Sequence, residues 1–159
     1  MLSENPVNGA HDITKTKCLE FGGADITIED VVLIAQQDVN SSLSANEAFR
    51  ERIQSGQSFL ADMLKNNDVI YGVTTGYGDS CTVSIPDELL VELPLHLTRF
   101  HGCGLGKILD IPTARAVIVA RLASLVKGYS GVRMELLERL VWLLNNNVLP
   151  LIPEEGSVG

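Results

Sequence analysis

A tyrosine at the start of a glycine- and threonine-rich segment is the feature of this sequence best suited to chemistry. Tyr71 begins the run YGVTTGYG, which ends at Gly78. Its glycines allow the main chain to approach a ligand closely and to adopt positive φ. A phenol there can present its oxygen to a pocket, but it acts as a base only where its surroundings stabilise phenolate, because tyrosine ordinarily titrates at about pH 10. The residues alone leave open a ligand-binding loop and a tight turn with structural tyrosines.

The segment HGCGLGK at residues 101–107 is also rich in glycine and invites comparison with a nucleotide-binding loop. A P-loop has four residues between its outer glycines and a Ser or Thr after the lysine. Here three residues separate Gly102 from Gly106, and Ile108 follows the lysine. A dinucleotide fingerprint needs a preceding strand, whereas the apolar spacing before this segment predicts a helix. We therefore interpret it as a helix C-cap and turn.

The three histidines do not form a metal-binding pattern. His96 and His101 are five residues apart, so on a helix they point to diverging sides rather than to one zinc-binding face. His11 lies in an N-terminal segment without periodicity. We expect no metal site. Taken by itself, His101 leaves open a hydrogen-bonded structural histidine and a functional one.

The composition narrows the class of protein. The chain has 159 residues and a net charge of −8, from 12 Lys+Arg and 20 Asp+Glu. This charge argues against a general nucleic-acid binder, and neither a membrane-spanning run nor a secretory signal is visible. The three cysteines are scattered and odd in number, which suits a reducing compartment. We predict a cytoplasmic location, with no nucleic-acid or membrane partner.

Apolar periodicity and capping residues predict a mainly α fold, with a flexible tail over residues 1–17 and a single domain portion over 18–159. Thr27 and Asp30 are spaced as a capping box, and so are Ser44 and Glu47. Pro94 is expected to kink the third helix, and residues 69–71 are β-prone. The five predicted helices cover about 28–37, 44–65, 84–101, 110–127 and 133–146.

Four motifs in order carry a resemblance to a known family: YGVTTGYG at 71–78, LTRFHGCGLG at 97–106, KGYSGVR at 127–133 and PLIPEEGSVG at 150–159. In these the sequence resembles the aromatic amino-acid ammonia-lyases, which include histidine, phenylalanine and tyrosine ammonia-lyases and the related 2,3-aminomutases. The resemblance implies the N-terminal part of an elongated helical-bundle lyase fold of the fumarase/aspartase type. It also implies a homotetramer whose active sites are shared between subunits.

The same resemblance implies a prosthetic group, methylidene-imidazolone (MIO), which relatives build from an Ala-Ser-Gly triad in their own main chain. In relatives the triad follows a GSVG-like stretch, so we expect it directly after Gly159. The 159 residues are then expected to be the N-terminal portion of a longer polypeptide, whose remainder is a partner of this portion.

Individual roles also follow from the resemblance. Tyr71 aligns with the base that removes a proton from the substrate's β-carbon, and Gly78 lies on the loop that runs along the substrate. Phe100 and His101 align with the pair that selects the substrate ring. In that role His101 is expected to donate to an imidazole nitrogen or a phenol oxygen, and Phe100 to add apolar surface against the ring. Relatives with Ser-His at this pair favour histidine or are aminomutases, His-Leu accompanies tyrosine, and Phe-Leu accompanies phenylalanine. The Phe-His pair is none of these.

The resemblance therefore predicts an ammonia-lyase that converts an aromatic L-amino acid into ammonia and an aryl-acrylate. Histidine is slightly favoured over tyrosine because of His101. One alternative is a 2,3-aminomutase, which returns the ammonia to the β-carbon. Another, from a different class, is a non-catalytic helical assembly module with the same fold.

Overall fold

The computed structural model describes residues 17–156 and is mainly helical there, as predicted. The tail predicted over residues 1–17 lies, apart from Lys17, outside the described residues. No helix in the described part is long and apolar enough to cross a membrane. The helices are α1 (Ile28–Ala35), α2 (Glu47–Lys65), α3 (Leu93–His101), α4 (Ile111–Leu125) and α5 (Met134–Asn145). The strands are β1 (Cys18–Phe21), β2 (Asn40–Leu43), β3 (Leu105–Ile108) and β4 (Pro153–Glu155).

The capping box at the start of α1 is confirmed. The Asp30 N–H donates to Thr27 Oγ1 at 3.2 Å, and the Thr27 N–H donates to Asp30 Oδ2 at 3.0 Å. Two main-chain donors that the first helical turn leaves free are thereby paired.

The predicted cap of α2 is wrong by two residues. The cap is Asn46, whose Oδ1 accepts the N–H groups of Ala48 at 2.9 Å and Phe49 at 3.3 Å. Ser44 Oγ instead accepts the Asn46 N–H at 3.2 Å, so it stabilises the turn before the helix. Both residues are good caps by type, and Asn46 immediately precedes the first helical residue.

Replacing Asn46 with Ala should lower the free energy of unfolding by about 1 kcal/mol, because two N–H groups lose their acceptor. Asn46→Asp keeps an acceptor oxygen at the same place and should stay within about 0.5 kcal/mol of the parent. Urea unfolding followed by circular dichroism measures both variants. Equal losses in the two variants would contradict the capping role.

Pro94 does not kink α3, contrary to the prediction. The segment before it breaks into a short 3-10 turn at Asp87–Leu89, and α3 starts afresh at Leu93. Pro94 therefore occupies the first turn, where a missing N–H costs no helical hydrogen bond. A continuous helix over 84–101 is replaced by a short helix that ends at His101.

The glycine-rich segment at residues 101–107 was predicted to be a helix C-cap and turn, and only its first part is one. Residues 105–108 form β3, which pairs with β4 in antiparallel register, Leu105 opposite Glu155 and Ile108 opposite Pro153. The strand was not predicted because its partner lies about 45 residues further along the chain. The pairing brings the last part of the described chain back to the end of α3.

The core forms where α4 packs against α1 and α5. Beside it, β1 and β2 make a parallel pair in which Phe21 lies opposite Leu43. Helix α2 crosses the turn after α4 closely, since a Cβ on Gly56 would lie 2.8 Å from the Gly128 carbonyl oxygen. The main buried apolar residues are Phe21, Ile34, Phe49, Ile53, Val119, Leu122, Leu137 and Leu144.

Arg115 is the one charged side chain buried within the described residues, with 2% of its surface exposed. Its Nε and Nη2 donate to the Ile34 carbonyl oxygen at 2.9 and 2.8 Å, and its Nη1 donates to the Leu144 carbonyl oxygen at 2.7 Å. These carbonyls lie in the last turns of α1 and α5, where helices carry partial negative charge, and each also accepts a main-chain N–H, from Gln37 at 3.1 Å and from Asn147 at 3.3 Å. Burial lowers the pKa of Arg115 below its ordinary value, but a guanidinium remains charged. One side chain thus joins three helices.

Candidate functional site

The turn after α2 positions Tyr71. The Ile70 carbonyl oxygen accepts the N–H groups of Val73 at 3.0 Å and Thr74 at 2.9 Å, so residues 69–71 enter a turn rather than a strand. The β pairing in this region is a single bridge between Thr75 and Ser84. The chain therefore doubles back directly after the tyrosine.

The loop holds the phenol of Tyr71 at its oxygen and at its ring. Tyr71 Oη accepts the Gly78 N–H at 2.9 Å, and the edge of one ring meets the face of the other between Tyr71 and Tyr77, with centroids 6.2 Å apart. Tyr71 nevertheless keeps 63% of its surface exposed. A phenol oxygen has two lone pairs, so one remains available to a ligand after the amide contact.

Glycine suits two points of this loop for different reasons. Gly72 has φ +70°, and a Cβ there would lie 2.7 Å from Cε1 of Tyr77. A side chain at Gly72 is therefore opposed by both conformation and contact, so glycine there lets the Tyr77 ring pack against the loop. Gly78 has φ +56° with open space where a Cβ would be, so a side chain there is disfavoured by conformation alone.

Helix α3 ends with the pair predicted to read the substrate ring. Phe100 is 82% exposed, and its ring meets that of His101 edge to face at a centroid distance of 5.4 Å. His101 Nδ1 lies 3.2 Å from the Leu97 carbonyl oxygen. Because a carbonyl only accepts, Nδ1 carries the hydrogen, and in the neutral ring Nε2 is then an acceptor. The neutral ring of His101 thus offers a ligand an acceptor, which corrects the expected role of a donor to an imidazole nitrogen or a phenol oxygen.

All four predicted site residues line one cavity of about 1320 Å³ between the Tyr71 loop and α3. Its volume exceeds the roughly 300–1,000 Å³ of most small-molecule sites, so it has room for an amino acid, and its lining combines aromatic with polar and charged side chains. Its lining includes Tyr71, Tyr77, Gly78, Phe100 and His101.

Tyr77 also lines the cavity and was not predicted to belong to the site. The available signal was its place directly after Gly76 and before Gly78, where an aromatic ring on a glycine-rich turn has room to face a pocket.

Strand β4 brings later main chain to the same end of the molecule. Its antiparallel register places Glu155 beside Leu105, and Pro153 packs against Gly104, where a Cβ would lie 2.5 Å from Cγ of the proline. The strand therefore runs back toward the C-terminal end of α3 and His101. This course of β4 is compatible with a contribution of MIO from later main chain to the same end of the molecule. Within residues 17–156 no cluster of three His, Cys, Asp or Glu side chains could hold a metal ion.

Comparison with proteins of known sequence gives two related findings. The family model described as aromatic amino acid lyase matches residues 26–159. Histidine ammonia-lyase of Streptococcus pyogenes is 41% identical over 144 residues, which cover 91% of this chain and 28% of that relative. The chain thus spans 28% of the length of the curated relatives that it matches.

Comparison with solved structures finds proteins of similar fold. Tyrosine aminomutase from Streptomyces globisporus matches with a TM-score of 0.82 and 35% identity, over 89% of this chain and 26% of that one. Histidine ammonia-lyase from Trypanosoma cruzi matches with a TM-score of 0.76 and 26% identity, over 89% and 27%. With its family model matched over residues 26–159, the chain belongs to the aromatic amino acid lyase family.

Proposed function

We propose that the full-length protein is a cytoplasmic ammonia-lyase that removes ammonia from an aromatic L-amino acid and leaves an aryl-acrylate. The observation that supports this proposal is that Tyr71, Phe100 and His101 line one cavity. Histidine ammonia-lyase relatives at 41% identity support the reaction class and favour histidine over tyrosine as the substrate.

In this proposal Tyr71 is the general base. Its phenolate oxygen takes a proton from the substrate's β-carbon, the electron pair of that bond forms the Cα=Cβ double bond, and ammonia departs from the α-carbon. Once formed from the main chain, MIO would supply an electrophile that turns the amino group into a leaving group. The Gly78 N–H holds the phenol oxygen at 2.9 Å and so defines where the proton is received.

Phe100 and His101 are proposed to recognise the substrate ring. Phe100 offers an exposed apolar face, and Nε2 of His101 accepts a hydrogen bond because Nδ1 is already committed to the Leu97 carbonyl. The N–H of an imidazole and the O–H of a phenol can both satisfy that acceptor, whereas a phenyl ring cannot.

His101→Leu should lower kcat/KM for histidine relative to phenylalanine by about tenfold to a hundredfold, because a ring hydrogen bond worth about 1–3 kcal/mol is lost. His101→Gln keeps an acceptor oxygen and should retain part of the preference for histidine. Acrylate absorbance from histidine, tyrosine and phenylalanine measures the three rates. An unchanged order of substrates in His101→Leu would show that this residue does not read the ring.

A 2,3-aminomutase is the second candidate, favoured by the match to tyrosine aminomutase at 35% identity and a TM-score of 0.82. Product analysis after incubation with the three amino acids separates the candidates. An aryl-acrylate supports the lyase, and a β-amino acid supports the mutase. Full-length protein that yields neither product would favour the non-catalytic assembly module.

We also propose a homotetramer in which the remainder of the polypeptide and other subunits cover this portion. Support comes from large apolar side chains that are strongly exposed on it, among them Val69, Val91 and Leu151. Single exposed apolar residues are common on protein surfaces, so the oligomeric state has to be measured. Light scattering of the full-length protein should give four times the chain mass.

A further inference from the structure

The loop that carries Tyr71 contains a buried hydroxyl to which the proposed reaction gives no role. Thr75 keeps only 4% of its surface exposed. Its Oγ1 accepts the Gly72 N–H at 3.1 Å and donates to the Gly76 carbonyl oxygen at 2.9 Å. Both the proton and a lone pair of this hydroxyl are therefore used within the loop.

The N–H that Thr75 accepts belongs to the peptide unit that joins Tyr71 to Gly72. The orientation of this planar unit sets ψ of Tyr71 and φ of Gly72 together. Gly72 has φ +70°, a conformation that glycine leaves easily because it has few steric limits. Holding its N–H therefore fixes the main chain at Tyr71, which the residue types alone leave free to vary.

Thr75 is itself held firmly. It bridges to Ser84, with the Gly76 N–H donating to the Val83 carbonyl oxygen at 3.1 Å and the Ile85 N–H donating to the Thr74 carbonyl oxygen at 2.9 Å. The hydroxyl thus connects the Tyr71 turn to a paired segment. Tyr71 is therefore held at two points. Thr75 fixes its main chain, and the Gly78 N–H donates to its phenol oxygen.

We propose that Thr75 is a positioning residue, whose hydroxyl orients Tyr71 for proton removal by fixing the Tyr71–Gly72 peptide. This inference rests on the proposed function, in which Tyr71 is the base. A displacement of about 1 Å at a reacting group can cost about a hundredfold in rate, so a clamp on the main chain of the base belongs to the catalytic geometry without touching the substrate.

The test compares Thr75→Val with Thr75→Ser in the full-length protein. Valine has nearly the same shape but no acceptor, and should lower kcat by about tenfold to a hundredfold with KM changed less than about threefold. Serine keeps the hydroxyl and should retain kcat within about threefold. Thr113→Val, which removes an exposed hydroxyl beside the Asp110 cap of α4 and outside the cavity lining, is the control for the substitution itself and should keep the parental kcat and KM.

A second readout follows the clamp without any turnover. Hydrogen exchange of the peptide that spans residues 70–78 should become about tenfold faster in Thr75→Val, while Thr75→Ser and Thr113→Val should match the parent. If the valine variant does not fold by circular dichroism, Thr75→Ala, which leaves room for water, takes its place in both measurements.

The outcomes separate this inference from the proposed function. Parental kcat and exchange in Thr75→Val, beside an inactive Tyr71→Phe variant, would overturn the positioning role and leave the base in place. Equal losses of kcat in the serine and valine variants, or a rise in KM alone, would also overturn it. A fully active Tyr71→Phe variant would instead overturn the proposed function, and the positioning role with it.

Discussion

Tyr71→Phe should lower kcat of the full-length protein by about a thousandfold, within the range that a positioned acid or base supplies. The change removes one oxygen and keeps the ring, so the edge-to-face contact with Tyr77 remains. The Gly78 N–H loses its acceptor, but water can replace it because Tyr71 is largely exposed. The thermal unfolding midpoint should therefore change little. Acrylate formation from histidine under saturating substrate measures the loss.

Tyr129→Phe is the matched control for this prediction. Tyr129 lies after α4, is almost fully exposed and does not line the cavity, so loss of its hydroxyl should leave kcat and KM at parental values. Activity in Tyr71→Phe close to that of the control would show that the phenol oxygen at position 71 does not remove the proton.

The helices could be predicted from sequence because their signals are local. The capping box of Thr27 and Asp30 and the apolar spacing of α5 place these two helices within about two residues of their observed bounds. The errors arose where two local solutions compete. Ser44 and Asn46 are both good caps, and Pro94 fits a first turn better than a helix interior.

The strands could not be predicted in the same way, because their partners are distant in sequence. Residues 18–21 pair with residues 40–43, and residues 105–108 pair with residues 153–155. None of these short segments shows the alternation that identifies a half-buried strand. Their register depends on how the helices between them pack.

The candidate site, too, could be predicted only in part from the sequence. The residue types of the Tyr71 loop indicate a ligand-binding turn, but their joining with Phe100 and His101 in one cavity was expected only from the family resemblance. The tautomer of His101 depends on a hydrogen bond to the Leu97 carbonyl, and the clamp on Gly72 depends on how Thr75 is buried. Both are properties of packed geometry, which side-chain type does not determine.

Arg115 shows the largest difference between sequence pattern and structural role. It lies within the most apolar stretch of the chain, where charge would ordinarily be expected to face solvent. In the structure it lies between the ends of α1 and α5 and donates to one carbonyl oxygen of each helix. Asn147 Oδ1 accepts a further bond from it at 3.3 Å, and one from Gln37 at 2.9 Å.

Arg115→Met should therefore lower the free energy of unfolding by about 3 kcal/mol, since the apolar length is kept while buried carbonyls lose a charged donor. Arg115→Lys should fall between the parent and Met, because one ammonium cannot serve two helix ends as a planar guanidinium does. Arg121→Met, an exposed arginine on the same helix, should stay within about 0.5 kcal/mol of the parent. The midpoint of urea unfolding, read by circular dichroism, compares the variants. Because Arg115 does not line the cavity, KM of the folded Arg115→Met protein should stay at the parental value. Similar losses of unfolding free energy in Arg115→Met and Arg121→Met would show that the contacts of Arg115 do not stabilise the fold.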